Sequence, residues 1–221
     1  MKINFDVDKN EVLRYSGQKD GKATPQIEKL AESYAEKIEE NISPRHIAAR
    51  FNLSQMEDGV MLSNGILLKG NDIKKHLSDC DECYIICATV GIQADSFIRS
   101  SLAMGSIYGL MADAAATAAV ESYCDSVENE LRQQLKKEKL YLTWRYSPGY
   151  GDFPFTQQPE ILSMLKADRL VGVTCNDSCI MTPSKSVTAV MGIAKNKPSR
   201  RYRACDTCPN NDSCNFSCRQ R

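Results

Sequence analysis

Two short stretches concentrate the residues that could do chemistry. Cys205-x2-Cys208-x5-Cys214-x3-Cys218 places four thiols within fourteen residues, interleaved with Pro209, Asn210 and Asn211. Thiolates so close, joined by turn-forming residues, suit a tetrahedral four-sulfur metal site or an iron–sulfur cluster. The spacing is neither the common zinc-ribbon pattern nor the bacterial ferredoxin run, so zinc and a [4Fe–4S] cluster both stay open. The second stretch is Arg145-Tyr-Ser-Pro-Gly-Tyr150. Pro148 presets its φ and Gly149 accepts a positive one, so the pair predicts a tight turn. Such a turn brings backbone N–H and C=O groups close to a docked ligand. Arg145 beside it offers a planar fork for a carboxylate, and Tyr146 and Tyr150 add flat amphipathic faces.

The remaining cysteines read differently. Cys80, Cys83 and Cys87 fall at the start of and within an apolar run, where thiols serve as small packing groups. Cys124, Cys175 and Cys179 read the same way. His46 and His76 are the two histidines. Neither is near the Arg145–Tyr150 stretch in sequence, and both read as ordinary surface or core residues.

The elements that must position these groups follow from periodicity and turn chemistry. Thr24-Pro25 opens a helix, with Thr as cap and Pro in the first turn. Ile27, Leu30, Ala31, Tyr34 and Ile38 give it one apolar face. Asn64-Gly65 between apolar runs predicts a hairpin turn, and a short helix follows from Asn71 to about Ser78. Tyr84–Val90 reads as a buried strand. From about Ile92 to Lys139 the chain is helix-rich, with Gly105 and Gly109 four apart and an alanine-rich middle; this reads as close packing of a helix against a sheet. Glu128 and Arg132, at i,i+4, read as a pair on a solvated face. Leu140–Trp144 is strand-like, Arg145–Pro154 a loop, Gln158 to Lys166 helical, and Ser186–Ile193 a strand. Hairpins and helices alternate without a βαβ rhythm, which predicts an α+β class. The expected division is a domain over 1–197 and a cysteine-rich appendage over 198–221.

Composition narrows the functional classes. The 221 residues are 42% hydrophobic and 25% charged, with 28 Lys+Arg against 28 Asp+Glu. Zero formal net charge argues against nucleic acid as a partner, because tracking phosphates takes a surplus of basic residues. The longest uncharged runs, Cys83–Ala94 and Ser100–Ala112, fall short of the ~18–20 residues of a membrane span. The N-terminal residues carry no apolar signal core. A cytoplasmic protein without membrane partners is expected. In a reducing compartment, ten cysteines point to packing and metal ligation rather than disulfides.

The internal motifs also carry a resemblance. Arg145-x-x-x-Gly149-Tyr150 resembles the RxxxGY signature of the S-adenosylmethionine-binding activation domain of vitamin B12-dependent methionine synthase. Leu110-Met-Ala-Asp-Ala upstream resembles part of that family's long helix. Gly172-Val-Thr-Cys-Asn-Asp-Ser-Cys-Ile-Met-Thr-Pro183-Ser-Lys-Ser-Val-Thr-Ala189 downstream resembles its G-x-x-L-T-x-S-x-x-M-x-P-x-x-S-V-S stretch. The likeness is good over residues 84–193 and loose over 1–83. The family's long helix has a ligand-facing Glu four residues after its Asp; counting from Asp113, this chain has Thr117.

The resemblance implies a C-shaped α+β domain on a twisted antiparallel sheet that binds S-adenosylmethionine and presents its methyl group to cobalamin on a partner. By motif, Arg145 would hold the ligand carboxylate and the Ser147, Pro148, Gly149 and Tyr150 backbone would line the adenosyl site. Tyr150 would face the cofactor side, and Pro183 would shape the adjoining wall. No catalytic acid or base is implied, because the sulfonium methyl is already activated and the protein need only position it. The implied function is reductive remethylation of a cobalamin-dependent methionine synthase or related corrinoid methyltransferase, acting in trans. The implied partners are a corrinoid-binding module and a flavodoxin-type reductase. An iron–sulfur electron carrier that reactivates corrinoid proteins, built on Cys205, Cys208, Cys214 and Cys218, is the alternative.

Overall fold

The chain runs through α1 (Lys9–Tyr15), α2 (Pro25–Glu40), β1 (Arg45–Gln55), β2 (Gly59–Leu62), β3 (Leu67–Lys69), α3 (Asn71–His76) and β4 (Cys80–Thr89). Two long helices follow, α4 (Ile92–Met104) and α5 (Ser106–Lys137), then β5 (Tyr141–Leu142) and a 3-10 turn (Phe155–Gln157). The last elements are α6 (Gln158–Met164), α7 (Ala167–Leu170), β6 (Thr174–Cys175), β7 (Met181–Thr182) and β8 (Ser186–Ala194). This computed structural model describes residues 5–18 and 23–198. The Cys205, Cys208, Cys214 and Cys218 cluster lies outside the described residues. The α+β class read from the sequence holds. The described residues fall into two units, each assembled from three chain segments.

The first unit takes the described residues up to His46, Ala88–Glu128 and Ala167–Val187. Its α1 lacks a long periodic pattern but starts on Asp8, whose carboxylate accepts the Asn10 N–H at 2.8 Å. Thr24 caps α2 by accepting the Ile27 N–H, with Pro25 in the first turn. Ala31, Tyr34, Ala35 and Ile38 bury the predicted face, and Tyr34 meets the Phe97 ring of α4 at 5.6 Å. The helical stretch after Ile92 is broken at Gly105, whose φ of 150 ends α4. A Cβ on Gly109 would lie 2.9 Å from the Leu102 Cα, so this glycine lets the start of α5 close on the end of α4. Ala112, Ala115, Ala116 and Ala119 further along α5 are fully buried. β6 and β7 form a small hairpin pairing Thr174 with Thr182 and Cys175 with Met181.

The second unit takes Ile47–Cys87, Asn129–Lys166 and the described residues from Thr188. It carries nearly all of a six-stranded sheet in the order β3-β2-β1-β4-β8-β5. β1 pairs antiparallel with β2, β2 with β3, and β5 with β8. The predicted turn at Asn64-Gly65 is present, but only Gly65 takes a positive φ, of 87. Leu62 accepts the Gly65 N–H at 2.9 Å and donates to the Ile66 carbonyl at 2.9 Å. The strand expected over Leu140–Trp144 shortens to Tyr141–Leu142, because Thr143 and Tyr146 then reach β8 singly. Glu128 and Arg132 do not lie on a solvated face: Glu128 is buried, and the Arg132 guanidinium donates to the Leu142 and Thr143 carbonyls at 2.6 and 3.0 Å.

Cys80, Cys83 and Cys87 are free and buried, and burial pushes their thiols up to about 11, 12 and 12. Thiols so protonated are poor nucleophiles, which agrees with a packing role. Cys124 and Cys179 are buried too, whereas Cys175 is half-exposed. Among the described residues no helix is long and apolar enough to cross a membrane.

Candidate functional site on the Arg145–Tyr150 loop

The loop begins where Tyr146 exchanges both backbone hydrogen bonds with Val190 of β8, each at 2.9 Å. The chain turns away from the sheet immediately afterwards. Tyr150 N–H donates to the Ser147 carbonyl at 3.0 Å, with buried Pro148 second and Gly149 third at φ 94. This is the type II arrangement that the Pro-Gly pair demands. A second turn follows, in which Phe153 N–H donates to the Tyr150 carbonyl at 3.0 Å. Gly149 N–H donates to the Phe153 carbonyl at 2.8 Å. Two of the amides that the turn was expected to offer are thus committed within the loop. What it presents outward is Gly149, which is exposed, and the Tyr150 ring, 44% exposed. An added Cβ at Gly149 would meet nothing closer than Phe155 at 3.6 Å.

The far end of the loop is tied to the start of α3. Asp152 accepts the Asn71 N–H at 2.7 Å and the Asp72 N–H at 2.8 Å. In return the Asp152 N–H donates to the Asp72 carboxylate at 3.2 Å. Charge-assisted bonds from the Asp72 and Asn71 amides hold the Asp152 carboxyl below its ordinary range. Two glycines permit this. At Gly70, φ 124, a Cβ would lie 2.7 Å from the Asp152 carboxylate. At Gly151, φ 53, it would collide with the Asp72 carboxylate and lie 2.7 Å from the Tyr146 hydroxyl.

Tyr146 stands in the middle of an aromatic column. Its ring stacks on His76 (centroids 5.0 Å apart, planes at 25°) and on Phe153 (6.3 Å, 18°). Tyr150 meets it edge-on at 5.7 Å. The Tyr146 hydroxyl donates to the Tyr150 carbonyl at 3.2 Å. Burial, helped by Asp72 and Asp152, pushes its pKa up to about 12, so it stays a donor. His76 meets Trp144 edge-on at 4.9 Å, and its Nε2 lies 3.1 Å from the Thr143 hydroxyl. That hydroxyl also accepts the Gly192 N–H at 2.7 Å. His76 Nδ1 is sealed from water without a hydrogen-bond partner, and burial lowers its pKa to about 4. The sequence separates His76 from the loop, but the fold sets it directly against Tyr146.

Arg145, Ser147, Pro148, Gly149 and Tyr150 therefore share one loop of the second unit, with Arg145 half-buried at its entrance. Pro183 belongs to the first unit, where it follows a cis peptide bond and is buried. Ser186 Oγ lies 2.7 Å from the Pro183 carbonyl, and the Ser184 N–H donates to Asp95 at 3.1 Å. Lys185 pairs with Asp113 at 2.8 Å and donates to Thr117 Oγ1 at 3.0 Å. Thr117, standing where the resemblance implies Glu, is thus a partner of lysine. Sequence reading missed Asp72, Gly151, Asp152 and His76. The second glycine two positions after Gly149 was the available signal.

Among the described residues no group of three or more His, Cys, Asp or Glu side chains could hold a metal ion. No curated protein matches the chain. Among solved structures, the crystal structure of the MetH reactivation domain bound to AdoHcy superimposes with a TM-score of 0.61. The match covers 89% of this chain and 79% of that one at 15% identity, which establishes a shared fold. The family described as "Vitamin B12 dependent methionine synthase, activation domain" matches residues 80–221, from the start of β4 through the C-terminal cysteines. The chain belongs to the vitamin B12-dependent methionine synthase activation-domain family.

Proposed function

We propose that this chain binds S-adenosylmethionine on the Arg145–Tyr150 loop and presents its methyl group for reductive remethylation of a cobalamin-dependent methionine synthase or related corrinoid methyltransferase. The corrinoid module resides on a separate protein, with a flavodoxin-type reductase as electron source. One observation carries the reading. A type II turn with an open, exposed Gly149 follows Arg145 directly, in a chain of the activation-domain family. The AdoHcy in the structurally similar MetH domain supports it.

The corrinoid, when reduced on its own module, supplies the nucleophile. The sulfonium would supply an activated methyl: the nucleophile's electron pair would form a bond to the methyl carbon as the carbon–sulfur bond breaks, leaving that bond's pair on sulfur in AdoHcy. No proton moves, and this chain contributes position. The Arg145 guanidinium takes the ligand carboxylate with two parallel hydrogen bonds. The rigid Ser147–Tyr150 backbone lies against the adenosyl group, and Tyr150 faces the methyl acceptor. Isothermal titration of the full chain with S-adenosylmethionine tests the reading. One-to-one binding, weakened about a hundredfold by Arg145→Ala as for a charged hydrogen bond, is expected. No binding, or unchanged binding in the variant, overturns it.

We further propose that Cys205, Cys208, Cys214 and Cys218 hold a metal, on the strength of their spacing alone. A [4Fe–4S] cluster would make the chain an electron donor as well. Metal analysis and an absorption spectrum of anaerobically purified protein decide between the readings. A colourless protein with stoichiometric zinc ends the electron-transfer reading.

A further inference from the structure

The Tyr150 carbonyl receives two donors, the Phe153 N–H at 3.0 Å and the Tyr146 hydroxyl at 3.2 Å. It is the joint between the two turns of the loop, and only one of its donors lies outside them. That donor's ring lies near-parallel to His76, 5.0 Å away at 25°, and to Phe153, 6.3 Å away at 18°. His76 is fixed in turn by Thr143 and Trp144, so the column runs from the sheet to the turn. We propose that Tyr146, stacked with His76 and Phe153, is the positioning residue that locks the Ser147–Tyr150 turn in its ligand-receiving form.

Even with the Tyr150–Ser147 and Gly149–Phe153 backbone bonds, a turn at an exposed glycine is soft on its own, since Gly149 gives up more backbone freedom than any other residue on ordering. A ligand that must first order the turn binds more weakly by the fraction of time the turn is formed. The column removes that cost in advance. A leucine at position 76 would fill space without leaving a sealed, partnerless nitrogen, which stability alone disfavours. The flat imidazole gives Tyr146 a surface to stack on, with an orientation set by Thr143. Asp72 and Asp152, the carboxylates that act on the Tyr146 hydroxyl, are engaged with each other's amides, leaving the hydroxyl to the Tyr150 carbonyl.

The proposal rests on the S-adenosylmethionine reading for its ligand, and its test separates the two. Tyr146→Phe keeps the stack and removes the hydroxyl; His76→Leu keeps the hydroxyl and removes the flat partner. Titration with S-adenosylmethionine, thermal unfolding and amide hydrogen exchange are measured for each variant and for the double variant. Tyr146→Phe is expected to bind about fivefold more weakly, with its melting temperature almost unchanged and faster exchange at the Tyr150 and Phe153 amides. The double variant is expected to lose less than the product of the two single effects, because both act through one column. Affinity within about twofold of the unaltered protein with unchanged exchange overturns the positioning role. If the unaltered protein binds no S-adenosylmethionine, the functional reading fails, and exchange at the two amides alone decides the positioning role.

Discussion

Asp152 and Asp72 bind each other reciprocally. The Asp72 amide donates to the Asp152 carboxylate at 2.8 Å, and the Asp152 amide donates to the Asp72 carboxylate at 3.2 Å. Two like charges are brought together because each meets the other's backbone dipole rather than its carboxylate. The exchange fastens the end of the Arg145–Asp152 loop to the first turn of α3, and everything between Arg145 and Asp152 is spanned by its two attachments, at β8 and at α3.

Removing one carboxylate should loosen the loop. Asp152→Ala leaves the Asn71 and Asp72 amides without their acceptor, a loss of about 1–2 kcal/mol as for a helix cap. Asp152→Asn retains one acceptor oxygen and should recover part of it. The pH dependence follows from the lowered carboxyl. Its contribution is full above the ordinary carboxylate range and fades as pH falls through the folded-state value. Urea unfolding of both variants between neutral and strongly acid pH checks this; equal stability of Asp152→Ala and the unaltered protein at pH 7 would count against the cap.

The two glycines of the loop should respond differently. At Gly149 the space is open and only the positive φ opposes a side chain, so Gly149→Ala costs about 1 kcal/mol. At Gly151 the same strain is joined by collision with the Asp72 carboxylate and the Tyr146 hydroxyl. Gly151→Ala should therefore cost about 2–3 kcal/mol and should speed exchange at the Phe153 amide. Equal unfolding midpoints for the two variants would show that the reciprocal aspartate contact does not constrain the loop.

This contrast marks what the sequence made legible. Pro148-Gly149 declares its own turn, because the two residues' φ preferences are local. Gly151 is as strongly demanded, but by Asp72, which lies far away along the chain and only meets it once β8 and α3 are in place. His76 was read as remote for the same reason, since sequence distance says nothing about which rings stack. Spacing at i,i+4 puts Arg132 with Glu128 on a solvated face, and only β5 arriving alongside offers it two carbonyls. The α2 stripe and the α+β class were legible because capping and periodicity are local properties.

His76 should make stability sensitive to mild acid. Its folded-state pKa is about 4, against an ordinary value of 6.5. Between those values the unfolded chain binds more protons than the folded one, so stability falls as pH falls from 6.5 toward 4. The full loss is on the order of 3 kcal/mol at 1.36 kcal/mol per pKa unit. His76→Phe keeps an aromatic face for Tyr146 and cannot titrate. Measured at each pH, the stability difference between His76→Phe and the unaltered protein should shift in the variant's favour by that amount. A difference that stays flat from pH 7 to pH 4 would remove the buried neutral imidazole from the account.

Gly109 offers a case in which two effects of similar size oppose each other. In an exposed helix interior, Gly→Ala stabilises by about 1 kcal/mol, because alanine has less backbone freedom to lose. In α5, however, the new Cβ would sit 2.9 Å from the Leu102 Cα and 2.8 Å from its Cδ1. The side-chain carbon can rotate away, but the Cα belongs to the backbone of α4 and moves only if the helices part. Overpacking of this kind costs about 1–3 kcal/mol, which outweighs the propensity gain. Gly109→Ala is therefore expected to lower the unfolding midpoint. Leu102→Ala, which removes the Cδ1 but not the Cα, should relieve only part of that loss in the double variant. A Gly109→Ala protein more stable than the original would mean that α4 and α5 part easily at the Leu102–Gly109 approach.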